Sequence, residues 1–116
     1  MSITPTLRKL IFTRDNETCV ACGTSQSLTI HHRINRGAGG SKLFDKPAFL
    51  LTICITCNGL FESDSNVAAK ARELGYKLHR NHRPTPDPTA IPVFYKSEGD
   101  WYLLDHQGTK RSSNGK

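Results

Sequence analysis

The sequence predicts a small α+β fold, and three observations lead to that class. The chain has 116 residues, the usual size of one domain. Its apolar residues recur at helical spacing in some segments, whereas in others they alternate or run together as in strands. Two Cys-x-x-Cys motifs, at 19–22 and 54–57, flank the predicted strands. Because only 36% of the residues are apolar, we expect a modest core that cross-links such as disulfides or a bound metal would help to stabilise.

An amphipathic helix is predicted over residues 6–16. Its apolar positions recur at helical spacing, and they are Leu7, Leu10 and Ile11. Thr4 is the expected N-cap. Pro5 suits the first helical position, because the N–H that proline lacks would have no partner there.

Residues 28–57 predict two strands separated by a loop. Residues 28–31 alternate in polarity, which is typical of a half-buried strand. Residues 33–46 contain three glycines and four basic residues and are expected to form a loop. The apolar run 49–53 predicts a buried strand that leads into the second cysteine motif.

The rest of the chain predicts two short helices, a connector and a hairpin. One helix follows Cys57 to about residue 64. A second, capped by Asp64 or Ser65, runs over 66–74 and ends at Gly75, completing a main domain over residues 1–76. The remaining segments are a basic, proline-rich connector at 77–92, a β-hairpin packed on the core at 93–106, and a disordered basic tail at 107–116.

The charge balance favours a polyanionic partner. Lys and Arg number 16 against 10 Asp and Glu, which gives a formal net charge of +6. Nucleic acid is the first candidate and an acidic membrane surface the second, with a merely soluble basic protein as the alternative. No apolar run approaches the roughly 20 residues of a membrane span, and the first residues lack the layout of a signal peptide. We therefore expect a cytoplasmic protein with no membrane partner.

The four cysteines predict a structural zinc site. In a reducing compartment such motifs bind a metal more often than they form disulfides. Two intervening residues let both sulfurs of a motif, Cys19 with Cys22 and Cys54 with Cys57, turn towards one ion. A shell of four thiolates leaves no position for water, so a zinc ion bound there would stabilise the fold. The rival interpretations are a redox pair of thioredoxin type and four unrelated thiols.

Two histidines and an asparagine predict a second metal site. His31 and His32 end the first predicted strand, and Asn58 directly follows Cys57. If both cysteine motifs hold one zinc, His31 and Asn58 come close together and can share a divalent ion that keeps open positions for water and phosphate. His32 points to the other face of the strand and is available as a base. The alternative is a pair of ordinary polar histidines.

Together these motifs resemble the HNH endonucleases of the ββα-metal, treble-clef type. The resemblance runs over about residues 7–74. It rests on the two Cys-x-x-Cys motifs, His31-His32, the glycine-rich segment 36–41, and the run Leu50-x-x-Ile53-Cys54-x-x-Cys57-Asn58. A softer resemblance, around 69–76 and 91–93, is to the small HNH enzymes of phages and prophages of actinobacteria.

The resemblance implies a fold and a role for each motif residue. The fold is a ββα-metal core with a four-cysteine structural zinc, flanking helices and the C-terminal hairpin. His31 and Asn58 match the ligands of a catalytic divalent ion such as Mg²⁺ or Mn²⁺, and His32 matches the general base. The implied reaction is hydrolysis of DNA phosphodiester bonds, by nicking or double-strand cleavage, to 5′-phosphate and 3′-hydroxyl ends.

Two positions depart from the family pattern. Phe49 stands where the family usually has the asparagine that holds the loop of the base, and Asn35 is a nearby substitute. Glu62 stands where relatives often have a further histidine. Because it shares a helix face with Asn58, Glu62 is a candidate third ligand, with a solvated glutamate as the equal alternative. Phe49 keeps open a second hypothesis, a non-catalytic zinc-stabilised module that binds DNA or serves phage assembly.

DNA is the expected partner, bound mainly through its phosphate backbone. The candidate contacts are basic residues of the loop and of the first helix, namely Arg33, Arg36, Lys42, Arg8, Lys9 and Arg14. The length leaves no room for a separate target-reading domain, so we expect low sequence specificity. The phage resemblance implies partners in DNA packaging, such as terminase proteins, and we expect a monomer or weak dimer.

Overall fold

The computed structural model describes residues 3–34, 44–78 and 86–113, and the predicted α+β class is confirmed there. These residues form three α-helices and two small antiparallel sheets. In chain order the elements are α1 (Pro5–Arg14), β1 (Leu28–His32), a 3₁₀ turn (Pro47–Phe49), β2 (Leu50–Cys54), α2 (Ile55–Ser63), α3 (Ser65–Glu73), β3 (Val93–Tyr95), β4 (Asp100–Leu104) and β5 (Lys110–Ser112). None of the helices in these ranges is long and apolar enough to cross a membrane.

Strands β1 and β2 form a two-stranded antiparallel sheet that leads directly into α2. The register pairs Leu28 with Cys54 and His32 with Leu50. All five residues of β2 are buried, as the apolar run predicts. The strand begins one residue later than predicted, because Phe49 closes the preceding 3₁₀ turn. Helix α2 begins earlier than predicted, at Ile55, since Cys54 serves as its N-cap.

Helix α1 starts as its sequence predicts and ends in a buried polar contact. The backbone N–H of Leu7 donates to the Thr4 hydroxyl at 3.2 Å, which confirms the N-cap. At the other end Asp15 is buried. Its carboxylate accepts hydrogen bonds from the Thr52 backbone N–H at 2.9 Å and from the Tyr95 hydroxyl at 2.6 Å. One carboxylate therefore ties α1 to both sheets.

Arg33, just after β1, is completely buried and joins three segments through main-chain carbonyls. Its guanidinium donates to the carbonyl oxygens of Gly75 at 2.8 Å, Ala48 at 2.9 Å, Pro88 at 2.9 Å and Ile91 at 3.0 Å. Burial lowers the pKa of Arg33 to about 9. The prediction that Arg33 contacts DNA is therefore corrected. Its guanidinium N–H groups donate to carbonyl oxygens inside the protein and are not available to a phosphate.

Arg14 requires the same correction. Its side chain is buried, pairs with Asp15 at 2.8 Å, and donates to the carbonyl oxygens of Pro47 at 2.9 Å and Leu50 at 2.7 Å. The pKa of Arg14 is raised: burial acts to lower it, but the neighbouring Asp15 carboxylate outweighs that effect. Arg14 therefore fastens α1 to the start of β2 and is not a surface contact.

Helix α3 ends at a glycine that the fold requires. Asp64 caps the helix by accepting the backbone N–H groups of Asn66 and Val67, as predicted. Gly75 then adopts φ +86°, and a Cβ there would lie 2.1 Å from the Pro92 carbonyl oxygen. Only glycine permits both this conformation and this approach, which brings the carbonyl of Gly75 to Arg33.

The second sheet has the strand order β3-β4-β5, so the predicted hairpin gains a third strand. Val93, Tyr95 and Leu104 join the core with Cys19, Val20 and Ile53 among others. Residues 110–112 of the predicted disordered tail instead form β5. Polar and charged residues of this kind are typical of an edge strand. The Lys110 ammonium lies 4.0 Å from the Tyr95 ring centroid and pairs with Glu98.

Replacing Arg33 should destabilise the fold strongly. Arg33→Ala removes the guanidinium donors of four carbonyl oxygens, three of them in buried hydrogen bonds, and we expect a loss of at least about 3 kcal/mol in the free energy of unfolding. Urea denaturation measures this change. Arg111→Ala, at an exposed site in β5, is the matched control and should change stability by less than about 0.5 kcal/mol. Equal effects of the two substitutions would contradict the structural role of Arg33.

Candidate metal centres

The four cysteines converge on one point, and their geometry fits a tetrahedral metal ion. One sulfur from each cysteine lies within 4.8 Å of all the others. The sulfurs of Cys22 and Cys54 are 3.8 Å apart. A tetrahedron with Zn–S bonds of about 2.3 Å has edges of about 3.8 Å. The cluster could therefore hold a structural ion such as zinc, as the sequence predicts.

The local backbone explains why each motif turns both its sulfurs inward. In the first motif the backbone N–H of Gly23 donates to the Cys19 carbonyl oxygen at 2.8 Å, and Gly23 adopts φ +86°. In the second the Cys57 N–H points at the Cys54 sulfur at 3.4 Å. This sulfur sits at the N-terminus of α2, where the helix dipole favours a thiolate.

The thiol pKa values diverge within the cluster. Burial raises the pKa of Cys19 and of Cys57. Burial also acts on Cys54, but hydrogen bonds from Cys57 and the other thiols outweigh it and lower the pKa of Cys54. Four packed sulfurs repel one another as thiolates, and a divalent cation removes that repulsion. The chemistry of the donor set thus favours a bound metal.

His31 and Asn58 lie together where β1 faces α2. The Nδ1 atom of His31 is 3.2 Å from the Asn58 Oδ1 atom, and Nε2 is 2.7 Å from the Tyr76 carbonyl oxygen. The imidazole is buried and contacts the Phe61 ring edge-on at 5.2 Å between centroids. Burial lowers the pKa of His31 to about 4, so this ring is neutral at physiological pH.

The hydrogen bonds of His31 determine which nitrogen carries its proton. A carbonyl oxygen only accepts, so Nε2 donates to Tyr76 and the lone pair of Nδ1 faces Asn58. Either the Asn58 NH₂ group turns to donate to Nδ1, or a cation lies against both Nδ1 and Oδ1. Adjacent ligands of an octahedral ion with bonds of about 2.1 Å are about 3.0 Å apart. The observed 3.2 Å suits such a pair.

His32 makes a contact that the sequence did not indicate. Its Nε2 atom lies 2.8 Å from the Asp45 Oδ1 atom, and the side chain of His32 is 20% exposed. Asp45 lies 13 positions further along the chain, at the end of the predicted glycine-rich loop. No periodicity or motif spacing marks it. Its role becomes visible only once the chain is folded.

The remaining predicted site residues fall into three groups. Glu62 is exposed and pairs with Lys77 at 3.1 Å, so this ion pair must break before Glu62 can bind a metal. Arg8 and Lys9 are exposed to solvent on α1. The predictions for the loop lie outside the described residues, namely Asn35, Arg36 and Lys42.

Comparison with protein-family models, with curated proteins and with solved structures finds no significant match to this chain. The resemblance to HNH endonucleases therefore rests on the motif residues themselves. The described residues add independent evidence through their arrangement. They form a four-cysteine cluster, an antiparallel strand pair followed by a helix, and a partly buried contact between His31 and Asn58.

Loss of one cysteine should release the structural metal. We expect about one zinc per chain in the purified protein and a large loss of it in Cys54→Ser, since a hydroxyl is a poor ligand for this ion. Metal analysis by mass spectrometry measures the ratio. Thr56→Ser, an exposed position between Cys54 and Cys57, is the control and should keep its zinc. A protein that folds with no metal in the native form would contradict the assignment.

Proposed function

We propose that this protein is a metal-dependent DNA endonuclease of the HNH type, with low sequence specificity. The observation that carries the proposal is the meeting of His31 Nδ1 and Asn58 Oδ1 at 3.2 Å, next in the chain to a partly exposed histidine. A neutral imidazole, an amide oxygen and an adjacent base are the groups that metal-assisted phosphodiester hydrolysis requires.

The proposed metal ligands are His31 and Asn58. A divalent ion bound there would act as a Lewis acid on the scissile phosphate and the leaving 3′ oxygen. The Tyr76 carbonyl holds the His31 ring by accepting from Nε2 at 2.7 Å, so the lone pair of Nδ1 is directed at the site. Asn58 lies in the first turn of α2, in a position that β2 and the N-cap at Cys54 determine.

His32 is the proposed general base. Since Nε2 donates to Asp45 at 2.8 Å, Nδ1 carries the free lone pair and can take a proton from the attacking water. The side chain is one-fifth exposed, which lets water reach it. Attack at phosphorus would release the 3′ oxygen and produce 5′-phosphate and 3′-hydroxyl ends.

DNA binding is proposed to depend on backbone phosphates. The chain carries a net charge of +6, and α1 presents Arg8 and Lys9 to solvent. Phosphate contacts fix the position of the duplex without reading its bases. Low sequence specificity follows from such an interface, and terminase proteins remain the partners that the phage resemblance implies.

A non-catalytic DNA-binding module is the second candidate. It is favoured by Phe49, which occupies the motif position of the family's asparagine and is buried there. On this alternative the His31–Asn58 contact is an ordinary hydrogen bond within the fold.

Plasmid cleavage separates the two candidates. We expect the wild type to nick or cut supercoiled plasmid with Mg²⁺ or Mn²⁺ and to stop when EDTA is added. His32→Ala should lower the rate about 100-fold or more, because a general base contributes that much, and Asn58→Ala should raise the Mn²⁺ concentration required. Asn66→Ala, an exposed asparagine in α3, is the control. Equal plasmid patterns for wild type and His32→Ala, with zinc and fold retained, would refute the proposed activity.

The salt dependence of DNA binding tests the proposed contacts on α1. In Arg8→Ala/Lys9→Ala, the slope of log K against log salt should fall by about 2, because about one counterion is released per phosphate contact. Fluorescence anisotropy with a labelled duplex measures K. Lys70→Ala/Arg72→Ala removes two charges from α3 and should leave the slope unchanged. An equal change in both double variants would show that the attraction is diffuse.

A further inference from the structure

We propose that Asp45 is the positioning residue for His32, holding the imidazole in the tautomer that has its lone pair on Nδ1. This inference rests on the proposed function, in which His32 is the base. It adds a second residue to that half of the site, at a position that no motif includes. It also explains how the base is oriented although the side chain of Phe49 is apolar.

The contact itself determines the direction of the hydrogen bond. The distance from His32 Nε2 to Asp45 Oδ1 is 2.8 Å, and an ionised carboxylate only accepts. Nε2 therefore carries the proton. The two side chains are 20% and 12% exposed, so water competes little for this bond, although part of the His32 side chain remains accessible to solvent.

Asp45 is held in place by an aromatic contact on its own segment. The neighbouring Phe44 is buried and meets the Phe49 ring edge-on, with centroids 5.3 Å apart. Ile34 completes this small buried cluster. The backbone N–H of Phe49 donates to the Lys46 carbonyl at 2.9 Å, which closes the turn that follows Asp45. The packing of Phe49 against Phe44 thus stabilises the segment that carries the Asp45 carboxylate.

His32 is held from the other side by the sheet. It pairs with Leu50 at the end of the β1–β2 ladder. The next residue, Arg33, donates its backbone N–H to the Phe49 carbonyl at 2.7 Å. The Phe49 carbonyl therefore fixes the backbone next to His32, and the Phe49 ring fixes the backbone next to Asp45. The histidine and the carboxylate are positioned by the same residue.

This arrangement has two consequences for the base. The tautomer is selected before substrate binds, and the carboxylate stabilises the imidazolium that forms when His32 takes a proton from water. Asp45→Asn keeps an oxygen that accepts from Nε2 but loses the charge. Asp45→Ala loses both. We therefore expect the cleavage rate to fall about 10-fold in Asp45→Asn and about 100-fold in Asp45→Ala, with the KM for DNA little changed.

The test combines single-turnover cleavage of a duplex with ¹⁵N NMR of the histidine rings in the zinc-loaded protein. The ¹⁵N shifts should show His32 with its proton on Nε2 in the wild type and in Asp45→Asn, and as a mixture of tautomers in Asp45→Ala. Asp87→Asn, at an exposed aspartate in a turn, is the control and should change neither measurement. Zinc content and circular dichroism report whether each variant is folded.

The outcomes separate this inference from the proposed function. If the wild type cleaves DNA and Asp45→Ala matches it in rate and tautomer, the positioning role is wrong and the nuclease assignment stands. If the wild type shows the proton of His32 on Nδ1, the inference is overturned whatever the variants do. If His32→Ala cleaves as well as the wild type, the proposed function fails instead. A tautomer change with a matching rate loss in Asp45→Ala, partly rescued in Asp45→Asn, supports the inference.

Discussion

The convergence of four cysteines on one point is the constraint on which the other features depend. The first motif lies in the turn after α1, and the second begins at the last residue of β2. When their sulfurs share one ion, the turn after α1 is fastened to the junction of strand and helix. Because Cys54 is both a sulfur donor and the N-cap of α2, the start of that helix is determined by the same closure. Asn58 is then placed in the first turn, opposite His31.

Buried polar groups add to the stability that the apolar core provides, in a chain with few apolar residues. Arg33 and Asp15 lie in the interior, and each is satisfied by hydrogen bonds to segments distant in sequence. Such groups are costly if a partner is lost, so they favour one arrangement of the chain over its alternatives. Arg33 has a further effect, since it directly follows the proposed base and anchors the end of β1 to Gly75 and to the segment before β3.

The sequence was informative where the chemistry depends on local spacing. The cysteine motifs, the cap at Thr4 and the glycine at 75 could be predicted because each depends on residues close together in the chain. The roles of Arg33 and Arg14 were predicted wrongly, because counting charges does not reveal which are buried. Asp45 was missed because its contact with His32 joins two positions 13 apart in the chain that no motif links. Strand β5 was missed because a polar edge strand does not show the alternation of apolar and polar residues that marks a strand in the sequence.

We propose two different metal centres in this fold, a structural site formed by the four cysteine sulfurs and a second site between His31 and Asn58. Anomalous diffraction from crystals grown with zinc and soaked in Mn²⁺ tests this claim most directly. Data collected on either side of each absorption edge should give one zinc peak among the four sulfurs and one manganese peak in contact with His31 Nδ1 and Asn58 Oδ1. A zinc peak among the cysteines with no manganese between those two atoms would contradict the claim.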